Sequence, residues 1–281
     1  MARYIFDQST WEREAERLDA LERCGDPLTL EHLRRTGVGD GWECLEVGAG
    51  RGSIARWLAD RVGERGRVLA VDLDTTLLEE HRRPNLEVRR LDVLTDPLPA
   101  AAFDLVHARH VIGHLPDRAS ALRRLAAALR PGGWMLVEDF DFRWAELGDW
   151  PCDPVDAGPV LGRVWGATLE VMRSGSYDGG WSWRAPAGLR AAGLAEVAGE
   201  ARALIGDGAF TEMIHLSMLR FRDDVIARGM AAADVDRCLE VLGDPGSCLT
   251  AAPLVSVWGR RPPPPDPDRQ RATRSAATNH S

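Results

Sequence analysis

Apolar positions along this 281-residue chain change period several times. Residues 10–24 carry Trp11, Ala15, Leu18 and Leu21 at helical spacing, with Ser9 or Thr10 as cap, and a second helix is predicted over 28–36. From residue 43 short apolar runs alternate with amphipathic stretches. The runs predict strands at about 43–47, 67–71, 86–90, 103–108 and 133–138, with helices between most of them, notably 53–63 and 117–129. Such alternation implies a mostly parallel sheet with helices on both faces. Beyond residue 140 the pattern changes. Residues 140–185 hold Trp144, Trp150, Trp165, Trp181 and Trp183 among Pro/Gly loops and one helical run at 157–173, which reads as an insertion. A short helix at 186–192, a strand near 195–204, helices near 210–229 and 233–242 and a strand at 253–259 follow. The expectation is one domain over 1–261, with helices in 1–40 and lid or substrate insertions at 140–185 and 207–245. The Pro-rich and then polar stretch 262–281 is expected to be disordered.

Composition removes several function classes. A net charge of −8 argues against a general nucleic-acid or anionic-membrane binder. No apolar run approaches the roughly 20 residues of a membrane span, and the first residues lack a signal-peptide core, so the cytoplasm is the expected compartment. Cysteines at 24, 44, 152, 238 and 248 form no CxxC pair, which argues against a disulfide framework or a zinc site; no metal is expected. The chain contains no lysine. A P-loop lysine, a Schiff-base lysine and a Tyr-Lys dehydrogenase pair are therefore excluded.

The most informative stretch is Cys44-Leu45-Glu46-Val47-Gly48-Ala49-Gly50-Arg51-Gly52-Ser53, with Val71-Asp72 some twenty residues on. It reads as strand, glycine turn, helix start and a second strand ending in an acid. Gly48 and Gly50 let a backbone turn sharply and a ligand approach closely, and Gly52 sits where the next helix packs. A lone turn of this kind is equally a structural device. Glu46, inside an apolar strand, needs donors if buried, and would repel a pyrophosphate held by the turn. Asp72 and Asp92 each read as a turn acid or as a ligand acceptor. Taken together, three acids at the carboxyl ends of three successive strands converge on the crevice where such sheets bind ligands.

With Leu45–Gly52, Val68–Asp74, Leu91-Asp92-Val93, Phe103–Arg109 and Leu129-Arg130-Pro131-Gly132-Gly133-Trp134, the chain resembles the class I S-adenosylmethionine-dependent methyltransferases. It is most similar to their small-molecule branch, which includes quinone-biosynthesis and bacterial natural-product enzymes. The resemblance implies a Rossmann-like, doubly wound seven-stranded sheet whose last strand is antiparallel. It implies S-adenosylmethionine as cofactor. Glu46, Gly48, Ala49, Gly50 and Gly52 would surround its methionine part, Asp72 and Leu73 its ribose, Asp92 and Val93 its adenine, with Ala108, Arg109 and His114 beneath it.

The acceptor is expected beside the loop Ala108–Asp117. His110 is the first candidate for a base or substrate contact, with Asp139 and His215 as further candidates. Tyr4, Trp11, Trp165, Phe210 and Met213 are candidate pocket walls suited to an aromatic or apolar acceptor, although such residues are also ordinary core. The reading is O-, N- or C-methylation of a small molecule by in-line displacement, in specialised metabolism, by a monomer or homodimer. The alternatives are an NAD-dependent Rossmann oxidoreductase and a non-catalytic cofactor-binding scaffold. Glu46 beside the turn and the missing Tyr-Lys pair weigh against the former.

Overall fold

The computed structural model describes residues 12–78, 83–143, 149–206 and 208–263. Its centre is a sheet of seven strands. Five of them are parallel: β1 (Glu43–Val47), β2 (Arg67–Asp72), β3 (Leu86–Arg90), β4 (Phe103–Arg109) and β5 (Leu129–Phe140). The short β6 (Cys152–Asp153) pairs outside this sheet with β8 (Cys248–Leu249). The strands β7 (Ala195–Arg202) and β9 (Leu254–Arg260) complete the large sheet in the order β3-β2-β1-β4-β5-β9-β7. The last strand, β9, runs antiparallel to both neighbours, as the sequence resemblance implied.

The apolar runs become strands because both sheet faces are covered. Leu45, Val106 and Val137 face one core, while Cys44, Leu105 and Leu136 face the other, and all are buried. Helix α2 (Ser53–Val62) packs on β1 and β2, and α3 (Arg118–Ala128) on β4 and β5. Asp117 caps α3 by accepting from the Ser120 amide at 2.9 Å. A short α5 (Ala185–Ala191) covers β7 and β9.

Three elements differ from the sequence reading. The two expected N-terminal helices are one helix, α1 (Glu14–Arg35), with Pro27 inside it. Proline normally marks a boundary, but here the face carrying Leu18, Cys24, Leu28, Thr29, His32 and Leu33 is buried along the whole helix, and that burial outweighs one missing amide. The expected helix over 210–229 is two, α6 (Gly208–Arg220) and α7 (Arg222–Ala227), broken at buried Phe221. Strand β5 begins four residues earlier than the apolar run suggests. Its pairing with β4 shifts register between Phe103 and Leu105, and Gly132, at φ +83°, absorbs the irregularity.

Helices α1, α4 (Gly158–Arg173), α6, α7 and α8 (Ala232–Gly243) build a second core with Phe140, Phe142, Trp150, Trp165 and Phe210 at its heart. Trp150 anchors it by donating from Nε1 to the Thr250 carbonyl at 2.9 Å. Among the described residues no helix is long and apolar enough to cross a membrane. Tyr4, Trp11, Trp144 and the segment 264–281 lie outside the described residues.

Candidate active site

The carboxyl ends of β1 to β5 and the inner faces of α1, α4 and α6 enclose a cavity of about 410 Å³. At the β1 end, Gly48 has φ +66° and Gly50 φ +56°, a left-handed region that favours glycine. A Cβ on Gly48 would lie 2.1 Å from Val111 Cγ2, whereas one on Gly50 would meet only Leu18, at 3.9 Å. The Gly50 backbone therefore presents itself to the cavity. Its amide donates to Asp72 Oδ2 at 3.0 Å, and the Asp74 amide donates to Oδ1 at 3.3 Å. Burial pushes the Asp72 carboxyl up, an effect the Gly50 and Asp74 amides only partly offset. Asp72, Leu73, Asp92 and Val93 all line the cavity, and the apolar side chains of Val71, Leu91 and Leu115 complete this part of the wall. One oxygen of Asp92 accepts from the Leu94 amide at 2.8 Å.

The first amide of α2 does not point at open space. Ser53 N donates to Glu22 Oε1 at 3.1 Å, and Ser53 Oγ donates to Asp26 Oδ1 at 3.1 Å. Two carboxylates from α1 thus stand at the helix N-terminus, where a dinucleotide would place its pyrophosphate. This arrangement disfavours the oxidoreductase alternative.

At the other end of the cavity, His110 and Asp139 come together from the ends of β4 and β5. His110 Nδ1 lies 3.1 Å from Asp139 Oδ1, and Asp139 Oδ2 accepts from Trp181 Nε1 at 2.7 Å. A carboxylate only accepts, so the ring proton sits on Nδ1 and Nε2 keeps its lone pair. Nε2 is buried with no hydrogen-bond partner among the described residues, and both residues line the cavity. Burial lowers the His110 pKa, against the raising effect of Asp139, which favours a neutral ring. The residue has φ +57°, a strained conformation for a non-glycine side chain, costing about 1–3 kcal/mol. Its ring stacks on Phe140 with centroids 4.7 Å apart. Gly113 permits the arrangement, since a Cβ there would lie 2.5 Å from Asp139 Oδ2 and 2.6 Å from Trp181 Cδ1.

The other histidines have different surroundings. His114 lines the cavity and packs on Tyr177 at 4.5 Å, and burial pushes its pKa down to about 4. His107 is fully buried between Glu46 Oε2, at 2.7 Å, and Glu138 Oε2, at 3.3 Å. Burial opposes its charge, but the two carboxylates prevail and raise its pKa to about 9. Glu138 also accepts from Thr29 Oγ1 at 2.5 Å and Ser256 Oγ at 2.6 Å, and lies 3.0 Å from His32 Nδ1. Burial raises the Glu138 pKa, yet its two histidine partners hold it well below the usual carboxylate range. Glu46, expected against a ligand, is thus the end of a buried polar chain across β1, β4, β5, β9 and α1, and does not line the cavity. Arg109 lines it, but its guanidinium donates to Asp26 at 2.7 Å and Thr29 at 2.8 Å.

Ala49, Gly52 and Ala108 lie beside the cavity without lining it. Gly52 instead packs its α-carbon toward Leu78, 2.8 Å from where a Cβ would stand. Trp165 and Met213 line the cavity, whereas Phe210 is buried behind it against Phe140 and Trp150. His215 faces Gly243 of α8, away from the cavity, and burial lowers its pKa. Sequence reasoning did not single out Arg17, Phe142, Met172, Tyr177 or Ser217, which complete the wall, or Trp181, which holds Asp139. The tryptophan-rich composition of 140–185 was the only signal for Phe142, Met172, Tyr177 and Trp181.

Residues 45–137 match the family model described as a methyltransferase domain. Over that segment the chain is similar to methyltransferase domains. It is 36% identical over 175 residues to methyltransferase str2 of Strobilurus tenacellus, covering 62% of this chain and 59% of that protein. It is 31% identical over 128 residues to aklanonic acid methyltransferase DauC of Streptomyces sp. (strain C5), covering 43% of this chain and 57% of that protein. The chain therefore spans a little over half the length of these relatives. Among solved structures, phosphoethanolamine N-methyltransferase 2 of Haemonchus contortus shares the fold with a TM-score of 0.56 at 17% identity, covering 94% of this chain and 60% of that one. The matched segment holds the strands whose carboxyl ends line the cavity just described.

Proposed function

We propose that this chain transfers a methyl group from S-adenosylmethionine to a hydroxyl of a small, largely apolar acceptor, in specialised metabolism. The observation that carries this reading is the continuity of one cavity, from Asp72 and the glycine turn at one end to the His110–Asp139 pair at the other. The residues present suit the donor. Gly50 opens its backbone to the cavity, Asp72 offers carboxylate oxygens to a ribose diol, and Asp92 and Val93 stand beside the apolar wall of Val71, Leu91 and Leu115, which suits an adenine. When bound, the donor supplies an activated methyl group on a cationic sulfur.

The chain's own residues then position, desolvate and take a proton. Asp139 fixes the His110 tautomer, and Trp181 fixes Asp139. Neutral His110 presents Nε2 to the acceptor and removes its proton as the oxygen attacks. Aromatic and aliphatic walls exclude water, which strengthens this contact. A buried base held ready is superfluous for an acceptor that is already anionic, so the arrangement favours a neutral hydroxyl. The partner is a small molecule, and the acidic net charge gives no support to a nucleic-acid acceptor.

The test is incubation of the purified protein with methyl-labelled donor and a panel of phenols and enols, followed by mass spectrometry. Label appearing on oxygen is the expected result. Label confined to carbon or nitrogen would overturn the assignment to a hydroxyl.

A further inference from the structure

Among the described residues, four buried side-chain polar atoms have no hydrogen-bond partner: His110 Nε2, Arg118 Nε, Trp165 Nε1 and Ser182 Oγ. Only two of the four residues, His110 and Trp165, line the cavity. One offers a lone pair and the other an N–H. Buried polar groups are nearly always satisfied, so each calls for a partner that the described residues do not supply. The two are joined by an aromatic ladder. The His110 ring stacks on Phe140 at 4.7 Å, Phe140 contacts Phe142 at 5.7 Å, and Phe142 contacts Trp165 at 5.1 Å. Trp150, 5.6 Å from Trp165 in an edge contact, backs the indole, so the N–H is held by packing.

We propose that the acceptor has two polar handles on an aromatic skeleton: a hydroxyl that donates to His110 Nε2, and a carbonyl oxygen farther along the wall that accepts from Trp165 Nε1. This deepens the methyl-transfer reading and rests on it. In the transfer, the hydroxyl proton moves to His110 Nε2 and the oxygen bonds to the methyl carbon of the sulfonium donor. The sulfur–carbon bond breaks with its electron pair returning to sulfur, and the proton leaves His110 to solvent afterwards. Trp165 takes no part in bond making. It selects and orients, so its loss acts on KM and leaves kcat nearly unchanged.

The experiment uses probes matched at the hydroxyl, with the carbonyl meta to it and so out of conjugation: 3-hydroxybenzophenone against 3-benzylphenol, and 7-hydroxy-1-tetralone against 5,6,7,8-tetrahydro-2-naphthol. Their affinities are measured by calorimetry with S-adenosylhomocysteine present, on the wild-type protein and on Trp165→Phe. In the wild type, the ketone of at least one pair should bind about tenfold more tightly than its methylene partner, the worth of one added hydrogen bond. In Trp165→Phe the preference should shrink to within about twofold, and for any pair that turns over the change should fall on KM. Absence of the preference in the wild type overturns the proposal and needs no variant to read. Survival of the preference in a folded Trp165→Phe also overturns it. If circular dichroism shows that variant unfolded, benzothienylalanine at 165 keeps the ring shape, removes only the N–H, and decides the matter. Failure of S-adenosylhomocysteine itself to bind would sink the methyl-transfer reading and this inference with it. Its binding without a ketone preference would sink this inference alone.

Discussion

Asp139→Asn separates the base from its orientation. Asp139 Oδ2 accepts from Trp181 Nε1 at 2.7 Å, so the amide introduced by the substitution must keep its oxygen on that side. Its nitrogen then faces His110 Nδ1, 3.1 Å from the present carboxylate oxygen. An amide nitrogen donates, which forces the ring proton from Nδ1 to Nε2. The opposite amide rotamer would keep the Nε2 lone pair but bury two opposed donors at Trp181, which costs about 1–3 kcal/mol. The first rotamer therefore prevails and His110 loses the lone pair that faces the cavity, while volume and packing stay almost unchanged. General-base catalysis contributes about 10²- to 10⁴-fold, or roughly 3–5 kcal/mol. We therefore expect kcat to fall at least about 100-fold, with S-adenosylhomocysteine affinity changed less than about threefold. The assay is product formation from a phenol that the wild type methylates, followed across pH. Burial lowers the His110 pKa, so the wild-type rate should hold until pH drops below the ordinary histidine range. In the variant that acid limb should vanish, and the rate should rise with pH as the phenol ionises unaided. An Asp139→Asn protein with kcat within about threefold of wild type, and the same acid limb, would refute the reasoning.

Other sites give independent checks. His107→Leu leaves Glu46 and Glu138 buried without the cation between them; removing one partner of a buried pair costs about 3–5 kcal/mol, and a urea titration showing a loss under about 1 kcal/mol would contradict the network's role. In the wild type, His107 is held up to about 9 from an ordinary 6.5, so its contribution to stability is complete below 6.5 and is lost as pH rises through about 9. The melting temperature should fall over that interval, and a flat profile there would count against a charged His107. Gly48→Ala combines a left-handed φ of +66° with a Cβ placed 2.1 Å from Val111 Cγ2, and should weaken S-adenosylhomocysteine binding at least about tenfold by displacing the turn; unchanged affinity in calorimetry would mean that the turn does not shape the site.

The fold was legible because its signals are local. The strands at 43–47, 67–72 and 86–90 are short apolar runs bounded by turn residues, and their alternation with helices admits few topologies. The acids at the ends of β2 and β3 could be read as facing a crevice for the same reason, since strand direction alone places them. Long-range pairing was not legible. Nothing near Glu46 in the sequence announces His107, and nothing near Glu138 announces Thr29, His32 or Ser256, so an acid expected beside a ligand is bonded instead within the core. The same limit applies to Pro27, whose local tendency to end a helix is overridden by the burial of α1 on both sides of it. His110 and Asp139 were separately visible as strand-end residues. Their hydrogen bond, and the indole of Trp181 that holds it, follow only from the pairing of β4 with β5 and the return of the chain at 181.

The central claim is that Asp72 and the glycine turn hold S-adenosylmethionine rather than a dinucleotide. The direct measurement is calorimetric titration of the purified protein with S-adenosylhomocysteine, with NAD in parallel and Asp72→Ala as the comparison. We expect micromolar binding of S-adenosylhomocysteine, none of NAD, and at least about a tenfold loss in Asp72→Ala, where a charged acceptor of ribose hydroxyls is removed. Binding of NAD alone, or affinity for S-adenosylhomocysteine unchanged in Asp72→Ala, would contradict the account.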